Sequence, residues 1–232
     1  MTLSYLILLL ACLAGTHATR DWRVQRLNQF QQHYNNSAAD IIFLLDVSGS
    51  VSDKGFNTEK EFIKSVLSQI SVQPVASRVS VITFGKNVKK EIDYIDYGLL
   101  DKDKCSFTRE FARVTHRKGP ATNMKGSLVA AQSILDEATK HGFKRQHVNT
   151  VIFMLTDGQF NYGGSPYTLA GILRDRSKYD AEIFSVGVGW VSEYQLKKIA
   201  GTDSNVIIAR DFSEFKSIAT RIRGGKFLKF IK

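Results

Sequence analysis

The chain has 232 residues, of which 43% are hydrophobic and three are proline, enough apolar material for an ordinary core and unlike a low-complexity or disordered chain. The formal net charge of +10 favours anionic partners: acidic matrix protein, sulfated polysaccharide or mineral. Two cysteines, Cys12 and Cys105, exclude a disulfide-stapled scaffold.

From Leu3 to Leu13 the sequence is almost wholly apolar, and small residues follow as far as Ala18. This reads as a secretory signal over residues 1–18, with Thr16 and Ala18 as the small pair before a cut near Thr19. The run is too short to span a bilayer comfortably. Removal of the signal leaves the charge intact, makes Cys105 the single cysteine, and places the product outside the cell. An odd cysteine in a secreted chain points to a bridge to another chain, giving a disulfide-linked oligomer, or to a free thiol. Nucleic acid is not expected as a partner, since no recognition motif for it is present.

Residues 19–39 form a polar leader with a helix around residues 22–30 and one N-glycosylation sequon, Asn35-Asn36-Ser37. A single domain is expected over residues 40–222. It opens on an apolar run, Ile41 to Leu45, that breaks abruptly into Asp46-Val47-Ser48-Gly49-Ser50. Such a run suits a buried central strand. Ser52 and Asp53 offer cap oxygens to a helix that carries Phe56, Phe62, Ile63, Val66, Leu67 and Ile70 at helical spacing, and Pro74 ends the unit. Residues 78–84 alternate as a second strand. The tight Gly85-Lys86-Asn87 turn then makes residues 88–92 an antiparallel edge strand.

A short helix over residues 108–115 buries Phe107, Phe111 and Val114 around it. The turn Gly119-Pro120-Ala121-Thr122-Asn123-Met124 leads into a helix over 125–141, whose buried face is Leu128, Ala131, Ile134 and Leu135. Residues 149–156 form a second fully apolar strand, ending in Asp157-Gly158. A loop with Phe160, Asn161 and Tyr162 follows, then a helix over 166–179, a strand over 182–188, a helix over 192–200, a strand over 206–209, and a helix over 213–222 with Phe215, Ile218, Ala219 and Ile222 on one face. Residues 223–232 are a basic tail with Phe227, Leu228, Phe230 and Ile231 interleaved, suited to an anionic surface. Strands alternating with helices predict an α/β fold: a doubly wound, mostly parallel sheet with one antiparallel edge strand and helices on both faces.

The chemistry lies beyond the two apolar strands. Asp46, Ser48 and Ser50 alternate, so a chain leaving the strand can aim three oxygens at one point. Open parallel sheets place ligands at their carboxyl ends. A carboxylate with two hydroxyls makes a hard oxygen cluster, suited to Mg2+, Mn2+ or Ca2+ rather than zinc. If the two strands are neighbours, Asp157 reaches the same crevice, and Thr122, opening a turn before a helix, approaches it as well.

This order resembles the von Willebrand factor A-type domain, and within it the domains of collagen VI and matrilins. The metal-ion-dependent adhesion site of that family is written Asp-x-Ser-x-Ser, a distant Thr, and the Asp of a Thr-Asp-Gly turn, which here are Asp46, Ser48, Ser50, Thr122 and Asp157. The resemblance extends to the segments 78–85, 182–189 and 211–215. It implies a Rossmann-like fold and a cation, most often Mg2+, held by the hydroxyls with the aspartates acting directly or through water. One coordination position is left for a carboxylate of an extracellular protein ligand, for which collagen is one candidate. Many relatives carry Gly-Gly before the threonine and a second Thr two places later; here these are Pro120-Ala121 and Met124.

The expected function is therefore secreted matrix or cell adhesion through a cation, with Phe160, Asn161 and Tyr162 as a ligand rim. A secreted recognition factor using the same domain as a receptor is the alternative. An enzyme is not expected: the histidines are scattered, Cys105 has no motif partner, and Ser48 and Ser50 have no assigned base, which leaves metal-assisted hydrolysis as a remote option.

Overall fold

The computed structural model describes residues 21–96 and 103–223. The expected signal, the start of the leader and the tail beyond Arg223 lie outside these residues. In chain order the elements are α1 (Trp22–Asn35), β1 (Ala39–Asp46), α2 (Asp53–Val66), β2 (Arg78–Phe84), β3 (Val88–Ile92), α3 (Lys104–Arg113), α4 (Met124–Lys140), β4 (Asn149–Thr156), α5 (Tyr167–Arg174), β5 (Ala181–Val188), α6 (Glu193–Ala200), β6 (Val206–Ala209) and α7 (Phe212–Arg223). The strands form one sheet in the order β3-β2-β1-β4-β5-β6. All pairs are parallel except β2 with β3, which is the antiparallel edge the tight turn predicts.

Because side chains alternate across a strand, each central strand feeds two cores. Ile41, Phe43 and Leu45 of β1 join Val151, Phe153 and Leu155 of β4 on the face covered by α1, α2, α3 and α7. Ile42 and Leu44 join Ile152 and Met154 on the opposite face, under α4 and α5. The parallel register puts Phe43 beside Phe153 and Phe153 beside Phe184. Their rings stack at 5.2 and 4.6 Å.

Helix α1 closes that ladder. Phe30 meets Phe153 and Phe184 edge-on at 5.1 and 5.6 Å, and Leu27 is fully buried beside it. Burying two such side chains stabilises by roughly 1.5–3 kcal/mol each. The segment read from sequence as a leader ahead of the domain thus supplies part of the domain's core. Asn35 of the sequon is exposed at the end of this helix.

Two helices differ from their expected bounds for local reasons. The helix expected over 166–179 ends at Arg174, because the Asp175 side chain accepts from the Ser177 N–H (2.9 Å) and hydroxyl (2.8 Å) and turns the chain. The helix expected over 108–115 starts earlier, at Lys104, where Asp103 caps it by accepting from the Ser106 N–H at 2.8 Å. Phe107, Phe111 and Val114 are buried as expected.

Candidate metal centre

The strand order reverses direction between β1 and β4, so the loops after these two strands diverge and leave a crevice at their carboxyl ends. Asp46 is the last residue of β1, and Asp157 directly follows Thr156, the last residue of β4.

Asp46 is fully buried. One carboxylate oxygen accepts from the Ser48 N–H at 2.8 Å, and the other accepts from the Thr156 hydroxyl at 2.7 Å. The Ser50 hydroxyl donates to Asp157 at 2.7 Å. Its one proton is thereby used, so in the 3.0 Å contact between the two serines the Ser48 hydroxyl is the donor. A hydroxyl chain thus runs from Ser48 through Ser50 to Asp157 and leaves oxygen lone pairs on both serines. Burial pushes the Asp46 carboxyl up to about 6, against the Thr156 and Ser48 hydrogen bonds that lower it. Burial also raises Asp157, which the Ser50 hydrogen bond opposes. These partners are neutral donors, so the negative charge is held in place without being cancelled.

Thr122 is buried and comes in on a third loop. Gly119 exchanges backbone bonds with the β1 loop, donating to Val47 O at 2.8 Å and accepting from Gly49 N at 2.7 Å, while Asn123 N donates to Gly85 O at 3.0 Å. A Cβ on Gly119 would stand 3.3 Å from the Cα of Gly85, a tight contact, so the close approach of these two turns favours glycine. Thr122 and Asn161 exchange two bonds: Thr122 N donates to the Asn161 side chain at 2.8 Å, and Asn161 N donates to Thr122 O at 3.2 Å. Asn161, expected on the ligand rim, therefore ties the threonine loop to the Asp157 loop. Met124, at the place of the family's second threonine, is fully buried in the core beneath α4, with Asn123 capping that helix by accepting from Gly126 N at 2.8 Å.

The other two rim residues part company. Phe160 is half-buried, edge-on to Tyr167 at 5.7 Å, whereas Tyr162 is 46% exposed with the Lys86 ammonium 5.8 Å from its ring centre. Cys105 is exposed on α3, and the described residues contain no disulfide that would join it to another cysteine.

Sequence reasoning passed over several residues near the site. His116 places one ring nitrogen 3.1 Å from Ser48 O and the other 2.9 Å from the Asp53 carboxylate, and its ring stacks on Phe56 at 5.3 Å. It braces the serine loop from outside; no spacing signal marks it, because its partners lie more than sixty residues away. Trp190, in the turn after β5, is 96% exposed at the same end of the sheet. Glu59 is fully buried on α2 between Phe56 and Phe62, and a Glu at a core spacing was readable as an anomaly.

Among the described residues no group of three or more His, Cys, Asp or Glu side chains is arranged to hold a metal. Two carboxylates with serine and threonine hydroxyls nonetheless form a donor set that fits a hard divalent ion, whose charge two carboxylates would neutralise.

A family model for the von Willebrand factor type A domain matches residues 40–221. Among curated proteins, the mouse sushi, von Willebrand factor type A, EGF and pentraxin domain-containing protein 1 is 33% identical over 204 residues, covering 86% of this chain and 5% of that protein. The mouse collagen alpha-5(VI) chain is 31% identical over 189 residues, covering 79% of this chain and 6% of the relative. The chain thus spans only a small part of these much longer proteins. Among solved structures, proximal thread matrix protein 1 from the mussel byssus, described with zinc occupying its MIDAS motif, superposes with a TM-score of 0.70 at 21% identity, covering 81% of this chain and 47% of that one. That likeness supports the same fold. With the matching model extending from β1 into α7, this chain belongs to the von Willebrand factor type A domain family.

Proposed function

We propose that this chain is an extracellular adhesion or matrix module that binds a partner protein through a divalent cation. Asp46, Ser48, Ser50, Thr122 and Asp157 hold the ion, and a Glu or Asp of the partner completes its coordination. The observation that carries this reading is the Ser48–Ser50–Asp157 hydroxyl chain beside buried Asp46 at the switch point of the sheet, with neutral donors as the partners of both acids. Bound there, the cation supplies Lewis acidity toward an incoming carboxylate. The chain's own residues orient the hydroxyl lone pairs and keep the negative charge at the crevice. Modules of this family serve adhesion and structure rather than catalysis.

Mg2+ fits the oxygen-rich set best, with Mn2+ and Ca2+ as alternatives. The zinc in the byssal protein's own motif makes zinc a fourth ion to try. The collagen VI relative supports an extracellular matrix partner, collagen among the candidates, and the +10 charge supports added contact with sulfated polysaccharide or mineral. Tyr162 with Lys86, and Trp190 exposed at the same end of the sheet, supply the surface that selects the partner. Secretion through residues 1–18, a glycan on exposed Asn35 and a bridge between chains through Cys105 belong to the same reading.

The test is binding of the purified protein to an extracellular-matrix panel with Mg2+, Mn2+, Ca2+, Zn2+ or EDTA, at low and high salt. Binding lost in EDTA and in both Asp46→Ala and Asp157→Ala, yet kept at high salt, is the expected result. Binding that ignores EDTA and both substitutions but disappears in salt assigns recognition to the basic surface and sinks the reading.

A further inference from the structure

On the helix that follows the serine loop lies a buried acid that no hydrogen bond explains. Glu59 is fully buried, and neither carboxyl oxygen has a hydrogen-bond partner. It stands on the α2 face that carries Phe56, Phe62 and Ile63 into the core, at helical spacing from each. The helix starts directly after the serine loop, with Ser52 as its cap. Burial, to which the charges of Asp46 and Asp157 add, raises the pKa of Glu59 well above the usual carboxyl range. An apolar side chain would fill the same place at no electrostatic cost. A carboxyl without a partner in a core is among the most unfavourable groups a fold can bury. Rule-breaking of this kind concentrates at functional sites, where a ligand supplies the missing partner.

Among the described residues no three acids group as direct ligands of one ion, Asp46, Asp157 and Glu59 included. An interaction through a water ligand of the ion remains, and it suits a small cation that keeps its waters. We propose that Glu59 is a sixth protein group of the cation site, a positioning residue that holds a cation-bound water from the core side. This inference rests on the metal-site reading given above. It adds that the site has an inner wall, supplied by α2, which favours a hydrated ion such as Mg2+ over one that sheds its water, such as Ca2+.

The experiment compares the purified chain with Glu59→Gln, equal in volume, and Glu59→Leu, which removes every polar atom. Mg2+ and Ca2+ affinities are measured by calorimetry, and folding is checked by circular dichroism and thermal melting in EDTA. Glu59→Gln is expected to weaken Mg2+ binding about tenfold, and Ca2+ binding by a smaller factor. A loss below threefold for Mg2+, or an equal loss for both ions, overturns the proposal, since a general disturbance of the fold would weaken the two alike. Should Glu59→Gln not fold, Glu59→Leu decides by the same criteria. Should neither fold, Glu59 serves the fold and the proposal falls. A wild-type chain that binds neither ion instead sinks the metal-site reading itself, an outcome distinct from a wild type that binds and a variant that matches it.

Discussion

The two ends of β1 carry the same residue type in opposite circumstances. Asp40, near the start of the strand, is 5% exposed and grips two arginines: Arg78 Nε donates to it at 2.7 Å and Arg145 Nη2 at 2.5 Å. Arg78 in turn lies 4.4 Å from the ring centre of Tyr94. Asp46, at the other end, is fully buried and receives only a backbone N–H and a threonine hydroxyl. A buried charge costs much less when an opposite charge meets it, and that is the solution at the amino end. At the carboxyl end no cationic side chain among the described residues meets Asp46 or Asp157 in a salt bridge, and burial raises the pKa of both, as it does for Glu59 in the core. One acid is structural because its charge is cancelled. The charge of the other is not cancelled, which is what the proposed cation site requires.

The contrast breaks most sharply by substitution at the cation end. Asp46→Ala and Asp157→Ala should each abolish cation binding in calorimetry while the circular dichroism spectrum stays native; retention of tight Mg2+ binding by both would place the ion elsewhere. At the amino end the signs exchange. Asp40→Ala leaves Arg78 and Arg145 without their carboxylate and should destabilise the fold by about 3–5 kcal/mol in urea denaturation, with cation affinity unchanged.

The pH dependence sharpens the difference further. Asp46 titrates at about 6 in the folded chain against an ordinary value of 3.8, so between these values the folded state holds a proton that the unfolded state has lost. Its contribution is therefore fully present below about pH 4 and is lost as pH rises through 6. Asp46 by itself should contribute a gain of about 3 kcal/mol, as an upper estimate, on acidification of the cation-free protein from pH 7 to 4. Asp157, raised for the same reason, acts in the same direction. Denaturation in EDTA across this range checks it, and Asp46→Asn should flatten the profile. Saturating Mg2+ should stabilise at pH 7 by about 2.7 kcal/mol at a hundredfold excess over Kd, and the gain should shrink in acid as protons displace the ion. The smallest effect belongs to the rim: Trp190→Ala or Tyr162→Ala should weaken partner binding about tenfold and leave Mg2+ affinity untouched. An unchanged partner affinity in both would remove these side chains from the recognition surface.

Much of the fold was legible because its central strands are buried on both faces. A run such as Ile41 to Leu45 ending in an acidic turn has few other interpretations, and the residue bounds of β2, β3, β4 and β6 agree with the sequence reading. The bounds of α3 and α5 were less legible, since Asp103 and Asp175 decide them through side-chain bonds to backbone that compete with helix continuation. The role of α1 was hidden for another reason: Leu27 and Phe30 look like scattered apolar residues in a polar segment until the Phe43–Phe153–Phe184 ladder gives them a surface to cover.

By itself the sequence determined the alternation of strand and helix, the edge hairpin, and the oxygen-bearing residues at the ends of two strands, because these depend on period, turn chemistry and short-range spacing. Only the tertiary structure decided that β1 and β4 are neighbours, that Ser50 reaches Asp157 across 107 residues, that His116 braces Ser48, and that Glu59 is buried in the core without a hydrogen-bond partner. Those are long-range contacts, fixed by which strands pair and which faces the helices cover, and no local pattern in the chain encodes the distance between residues so far apart.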